Sequence, residues 1–184
     1  MNKAELRFTG SGGQGVILAT IILAEAAYED KLETVQSQSY GPEARGGLCK
    51  AECIIDEKPI TYTKVGLPNL LLSLTQASLD KYVSTLQEDA IVMVDSGIEV
   101  PADVKAKHKV ISIPIIDSAN DVIKNHMAAN IISVGAVNEA MKLTSIDSLE
   151  KAVLNHVPKG TEELNLRALH LGAELVREFN LKIA

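Results

Sequence analysis

The apolar positions of this chain form short, dense blocks that alternate with longer stripes of helical spacing. No polar residue interrupts Ile91-Val92-Met93-Val94, and such a run reads as a strand covered on both faces, as in a parallel sheet. Strands are expected over residues 5–9, 33–37, 48–55, 70–74, 90–94 and 110–115. Lys50-Ala51-Glu52-Cys53-Ile54 alternates instead, with Asp56-Glu57-Lys58-Pro59 behind it, which predicts a hairpin edge and therefore a mixed sheet. Helices are expected over residues 14–28, 78–86, 118–125, 130–143, 146–157 and 161–180. The last has a wide apolar stripe through Leu164, Ala168, Leu171, Leu175 and Phe179, with Thr161 placed to cap it and Glu162 and Glu163 in its first turn. Strands and helices in this order give an α/β fold. The expectation is a single three-layer α/β/α domain over residues 1–184, with a mostly parallel sheet made mixed by the hairpin and a glycine-rich loop after the first strand.

Composition narrows what this domain does. At 184 residues and 46% apolar, the chain has material for one core. A formal charge of −6 and only 3% aromatic residues argue against nucleic acid as a partner, since neither phosphate neutralisation nor base stacking is supplied. No apolar run approaches bilayer length, and the first eight residues mix charges through the start, so a cytoplasmic protein with no membrane partner is expected. Cys49 and Cys53 share one face of an extended strand, too far apart along it to bond to each other. With two thiols and no adjacent histidine they read as structural, not as a zinc or iron–sulfur site. His108, His126, His156 and His170 are scattered, and none sits in a recognisable nucleophile motif.

Chemistry concentrates in two loops. Gly10-Ser11-Gly12-Gly13-Gln14-Gly15 lies between a strand pattern and a helix pattern, the context in which glycines let backbone amides approach a phosphate and the helix start adds unpaired donors. A dinucleotide site also needs an acid at the end of the second strand, and this one ends Val35-Gln36-Ser37-Gln38. Support for NAD weakens accordingly. Gln14 is then a donor to a phosphate or to a partner chain, while the plainer reading is glycines that only permit tight strand–helix packing. The second loop, Ser39-Tyr40-Gly41-Pro42-Glu43-Ala44-Arg45-Gly46-Gly47, offers a phenol, a carboxylate and a guanidinium on a backbone fixed by proline and glycine. Arg45 suits bidentate capture of a phosphate or carboxylate with Glu43 orienting it, or the two simply pair on a solvated turn. Both loops are expected at the carboxyl ends of strands, where open α/β sheets bind ligands. Asp95-Ser96-Gly97 reaches the same edge as a turn or a ligand, and Asn130 with Gly135-Ala136 opens an apolar helix whose small residues close packing explains.

Taken in order, the two loops, the Ala-rich helix after the first, and Asn130 with Gly135-Ala136 resemble the gamma subunit of 2-oxoacid:ferredoxin oxidoreductases across nearly the whole chain. The wording Tyr40-Gly41-Pro42-Glu43-Ala44-Arg45-Gly46-Gly47 is most similar to the 2-oxoglutarate branch. The resemblance implies a multisubunit enzyme that oxidatively decarboxylates a 2-oxoacid to an acyl-CoA and reduces ferredoxin. It implies alpha and beta partners, and a ferredoxin-like delta, which carry thiamine diphosphate and iron–sulfur clusters. This chain would hold neither cofactor and supply no catalytic residue, and coenzyme A becomes the candidate ligand of residues 10–15 with Tyr40, Glu43 and Arg45. The alternative is a free-standing dinucleotide-binding oxidoreductase. A mean hydropathy of +0.11 fits an apolar face that partners cover and through which the isolated chain would self-associate.

Overall fold

In the computed structural model, which describes residues 3–40 and 47–183, six strands form one sheet in the order β2-β3-β1-β4-β5-β6. They are β1 (Ala4–Ser11), β2 (Glu33–Tyr40), β3 (Leu48–Asp56), β4 (Leu70–Ser73), β5 (Ile91–Asp95) and β6 (Lys109–Ile113). β1, β4, β5 and β6 run parallel, while β3 is antiparallel to both β1 and β2. The sheet is thus mixed, but the hairpin is not where the alternation of β3 placed it. β3 is not an edge: it pairs on both sides, and the segment after Asp56 does not return as a strand. The hairpin joins β2 to β3 across the second loop, and β2 takes the edge.

Helices cover the sheet unequally. One face is packed by α1 (Val16–Glu29), α5 (Ala129–Met141), α6 (Ile146–His156) and α7 (Glu162–Ile183). Leu6, Phe8, Leu70, Leu72, Met93 and Ile111 point to that side, all fully buried. The other face carries α2 (Gln76–Tyr82) and α3 (Ala102–Lys107) over a smaller cluster of Leu71, Leu79, Val92, Val94, Val100 and Val104. Alternate residues of β4 and β5 therefore supply both cores, which explains their unbroken apolar runs.

On this second face β1 and β3 bury charge. Arg7 and Glu52 are 5% and 7% exposed, and Arg7 Nε donates to Glu52 Oε1 at 2.7 Å. The remaining guanidinium donors reach Thr85 Oγ1 at 2.8 Å and the carbonyl of Gly66 at 3.2 Å, and Lys50 Nζ stands 3.1 Å from the same Glu52 oxygen. Such satisfaction is what a buried ion needs.

α5 and α7 cross at glycines. A methyl on Gly135 would overlap the carbonyl oxygen of Leu169, and one on Gly172 would overlap that of Ile132. α1 is tied to α6 by Asp30, just past its end, whose carboxylate accepts from Thr144 Oγ1 at 2.6 Å, from the amide and hydroxyl of Ser145, and from Ser148 Oγ. Burial pushes the Asp30 carboxyl up, but the bonds from Ser148, Thr144 and Ser145 outweigh it and hold the group at about 2.

Several helices differ from expectation. α2 starts earlier, because Thr75 caps it by accepting the Ser78 amide at 3.3 Å. α3 is short and buries only Val104, too little apolar signal to read from sequence. Residues 118–125 form a π-turn over Ser118–Val122 behind the short α4 (Ile115–Asp117), not a regular helix. The Thr161 hydroxyl donates to the Pro158 carbonyl and accepts from the Asn165 side chain, so it does not take a first-turn amide of α7.

Candidate functional site

The carboxyl rim of the sheet is built by the ends of β1, β2, β4, β5 and β6, which all point the same way. β1 delivers Gly10 and Ser11 to this rim, and the chain then turns through Gly12, Gly13, Gln14 and Gly15 into α1. Two of these glycines need positive φ: Gly13 at +99° and Gly15 at +71°. Gly15 is the N-cap of α1, and no side chain caps that helix. Its first-turn amides therefore have no intrahelical partner, and the positive end of its dipole faces the rim.

Gln14 folds back over the loop. Its Oε1 accepts the Ser11 amide at 2.7 Å and fills the space a side chain on Gly10 would occupy. Its amide bonds the Ser11 carbonyl at 3.2 Å, closing the turn. The Gln14 Nε2 donors and the amides of Gly13 and Gly15 have no partner among the described residues.

The two loops adjoin. The Gly12 amide donates to the Gly47 carbonyl at 2.9 Å, Ser11 pairs with Leu48, and Cys49 lies between Gly10 on one side and Tyr40 on the other. The Gly47–Leu48 flank of the second loop thus stands beside residues 10–15, and the Tyr40 flank lies one strand further out. Tyr40 ends β2, and Glu43 and Arg45 lie outside the described residues.

Asn130 is a member of this site that the sequence reading assigned to packing. It is 6% exposed and stands over Gly15, where a methyl would come within 2.9 Å of its Cβ. Its Oδ1 accepts the Ile131 amide at 2.8 Å, which leaves Nδ2 without a partner among the described residues. The clue available in the sequence was a polar amide at the head of an otherwise apolar helix.

Asp95, the other residue expected at the rim, is already occupied. Asp95 accepts from the amides of Gly97 at 3.0 Å and Ile116 at 2.8 Å, so it is a turn residue. Thr9 Oγ1 bonds the Leu72 carbonyl at 2.8 Å and the Ser73 hydroxyl at 2.9 Å, locking β1 to β4 beneath the loop. Cys49 and Cys53 are free, buried thiols on the α1 side of β3; burial pushes the Cys53 thiol up to about 12. Among the histidines, His156 and His170 pair with Glu25 and Glu150 on the helical layer, and His126 is exposed. His108 departs from a surface role, since its Nδ1 is buried without a partner.

Topology weighs against dinucleotide. In that site the second strand lies beside the first, so an acid at its end meets the ribose. Here β3 is inserted between β1 and β2, moving the end of β2 about 9–10 Å from β1. What remains is a cluster of backbone and side-chain donors with no carboxylate among the described residues of the glycine loop, chemistry suited to phosphate or to carbonyl groups of another chain.

The chain is similar to known proteins over most of its length. Residues 5–175 match the profile of the family described as pyruvate ferredoxin/flavodoxin oxidoreductase. The 2-oxoglutarate synthase subunit KorC of Methanocaldococcus jannaschii is 44% identical over 180 residues, covering 96% of this chain and 95% of that protein. The crystal structure of a keto/oxoacid ferredoxin oxidoreductase gamma subunit from Geobacter sulfurreducens PCA superposes with a TM-score of 0.87 at 38% identity, covering 97% of this chain and 98% of that one. At 16% identity, a 2-oxoglutarate:ferredoxin oxidoreductase from Magnetococcus marinus, solved with 2-oxoglutarate, coenzyme A and succinyl-CoA bound, shares the fold with a TM-score of 0.87; the match covers 97% of this chain and 32% of that one. These matches do not favour a free-standing dinucleotide enzyme.

Proposed function

This chain belongs to the pyruvate ferredoxin/flavodoxin oxidoreductase family, and on that premise we propose that it is the gamma subunit of a 2-oxoglutarate:ferredoxin oxidoreductase whose glycine loop holds phosphate groups of coenzyme A. The enzyme oxidatively decarboxylates the 2-oxoacid, joins the acyl group to coenzyme A and reduces ferredoxin. Thiamine diphosphate and iron–sulfur clusters, carried by alpha and beta subunits and a ferredoxin-like delta, supply the carbanion and electron-transfer chemistry.

This chain's part is to bind and orient. The amides of Gly13 and Gly15 and the first turn of α1 aim donors and a positive dipole end at the rim. Asn130 Nδ2 and Gln14 Nε2 flank them with two more neutral donors. Arg45 and Glu43, with Tyr40, are proposed to complete the grip from the second loop, whose base is bonded to Gly12. The observation that carries the reading is this bond from Gly12 to Gly47, which unites the two loops beside an uncapped helix start.

The test separates assembly from ligand binding. In the assembled enzyme, Gly12→Val is expected to raise the KM for coenzyme A at least tenfold while the subunits still copurify. An unchanged KM would remove the coenzyme A role and leave the loop as a contact to a partner chain.

A further inference from the structure

Two carboxamides beside Gly15 are polarised the same way. Gln14 Oε1 accepts the Ser11 amide at 2.7 Å, and Asn130 Oδ1 accepts the Ile131 amide at 2.8 Å. A backbone N–H can only donate, so each contact fixes which atom of the carboxamide is the oxygen and leaves its NH2 group free to point elsewhere. Asn130 is 6% exposed, and its Nδ2 stands 2.6 Å from the place a methyl on Gly15 would take, at the N-cap of α1. A polar side chain buried this deeply ordinarily has its donors matched. Neither Asn130 Nδ2 nor Gln14 Nε2 has a partner among the described residues.

These two NH2 groups and the amides of Gly13 and Gly15 are all donors, and all are neutral. No lysine or arginine lies between Arg7 and Lys31 in the chain. Arg7 is held by Glu52 on the opposite face of the sheet, and Lys31 follows the far end of α1. Glycine loops that seat a terminal phosphate of a nucleotide place a lysine directly behind the last glycine. Here Val16 follows Gly15. Neutral donors at a helix start suit an acceptor whose charge is small on each phosphorus. An internal diphosphate carries a single charge on each, whereas a terminal phosphomonoester carries about 1.5 to 2 at neutral pH.

Coenzyme A contains both kinds of group. Resting on the assignment of coenzyme A to this loop, we infer that Gln14 and Asn130 are specificity-determining residues that read its internal diphosphate, and that its 3′-phosphate is held by groups outside the loop. The oxygens of both carboxamides are occupied by the backbone, so neither side chain can turn an acceptor toward the ligand without breaking its bond to Ser11 or Ile131. The pair therefore rejects ligand groups that need an acceptor and favours the bridging phosphates.

The test crosses isosteric variants with truncated ligands in the assembled enzyme. Asn130→Asp and Gln14→Glu keep the oxygen that the backbone amide needs and put a carboxylate oxygen where the NH2 group was. Shape is retained while one donor becomes a charged acceptor. kcat/KM is measured for coenzyme A, for 3′-dephospho-coenzyme A, which keeps the diphosphate, and for pantetheine, which has neither group; isothermal titration gives Kd for the first two. Each variant is expected to lose at least about tenfold with coenzyme A, to lose the same factor with 3′-dephospho-coenzyme A, and to match the parent enzyme with pantetheine. A loss confined to coenzyme A would overturn the inference by assigning the two residues to the 3′-phosphate, with coenzyme A still the ligand of the loop. Equal losses on all three would overturn it as well, since the substitutions would then act on the assembly and not on a phosphate. No loss with any of them removes coenzyme A from the loop, and the inference with it. Gln14 is half-buried on the loop, so Gln14→Glu carries the test alone should Asn130→Asp fail to assemble.

Discussion

Replacing Gly135 by alanine sets two physical effects against each other. Helix propensity favours the change: alanine is better than glycine inside a helix by up to about 1 kcal/mol. Packing opposes it. The new methyl would overlap the Leu169 carbonyl oxygen and stand 2.9 Å from the carbonyl carbon, where ordinary contact begins at 3.4 Å. Neither atom belongs to a flexible side chain, so α5 and α7 must part by at least the 0.5 Å between those figures. The residues beside the crossing, Val134, Ala136, Ala168 and Leu169, are all fully buried, so separation loosens a filled core. Overpacking costs of this kind run about 1–3 kcal/mol and exceed that when backbone is the obstacle. A net loss of about 2–3 kcal/mol is expected, which for a chain of this size lowers Tm by roughly 4–12 °C. Thermal and urea denaturation of Gly135→Ala against the parent chain measure it, and Gly172→Ala should behave alike. An unchanged or raised Tm would show that the helices do not approach as closely as described.

Three further outcomes follow from the same structure. Arg7→Met leaves Glu52 buried with only Lys50 beside it and should destabilise by about 3 kcal/mol, while adding Glu52→Leu should recover most of that; urea titration of the single and double variants decides. Asp30→Asn should cost about 1 kcal/mol at neutral pH, a value reduced for the solvent exposure of a half-buried group. Because the folded carboxyl sits near 2, below its ordinary 3.8, that contribution is complete above pH 4 and disappears as pH falls through 2, so the stability gap between parent and variant should close over that window. Gly15→Ala, at φ +71° and against Asn130, should strain the α1 start and weaken coenzyme A binding more than Asn130→Ala does, as read by isothermal titration of the assembled enzyme.

Much of the fold was legible because each strand is a local signal. All six strand segments were expected near where they lie, and the unbroken apolar run of β5 correctly implied cover on both faces. The place of β3 was not, because alternation reports the polarity of two faces and not the neighbours in the sheet. β3 alternates since one of its faces carries Lys50 and Glu52 around buried Arg7, not because it is an edge. At the site, the glycine spacing located the turn, but the position of Asn130 over Gly15 depends on a contact 115 residues apart in the chain. No local pattern carries such a contact. Close packing at Gly135 is legible from its small neighbours, but its partner Leu169 on α7 is a tertiary contact that no local spacing encodes.

The most direct measurement is ferredoxin reduction by whatever copurifies with this chain, tagged and expressed in its native cell. Reduction that requires both 2-oxoglutarate and coenzyme A, in material containing larger subunits with thiamine diphosphate and iron–sulfur clusters, is the expected result. A chain that elutes without such subunits, or with an assembly indifferent to 2-oxoglutarate, would contradict its role as their gamma subunit.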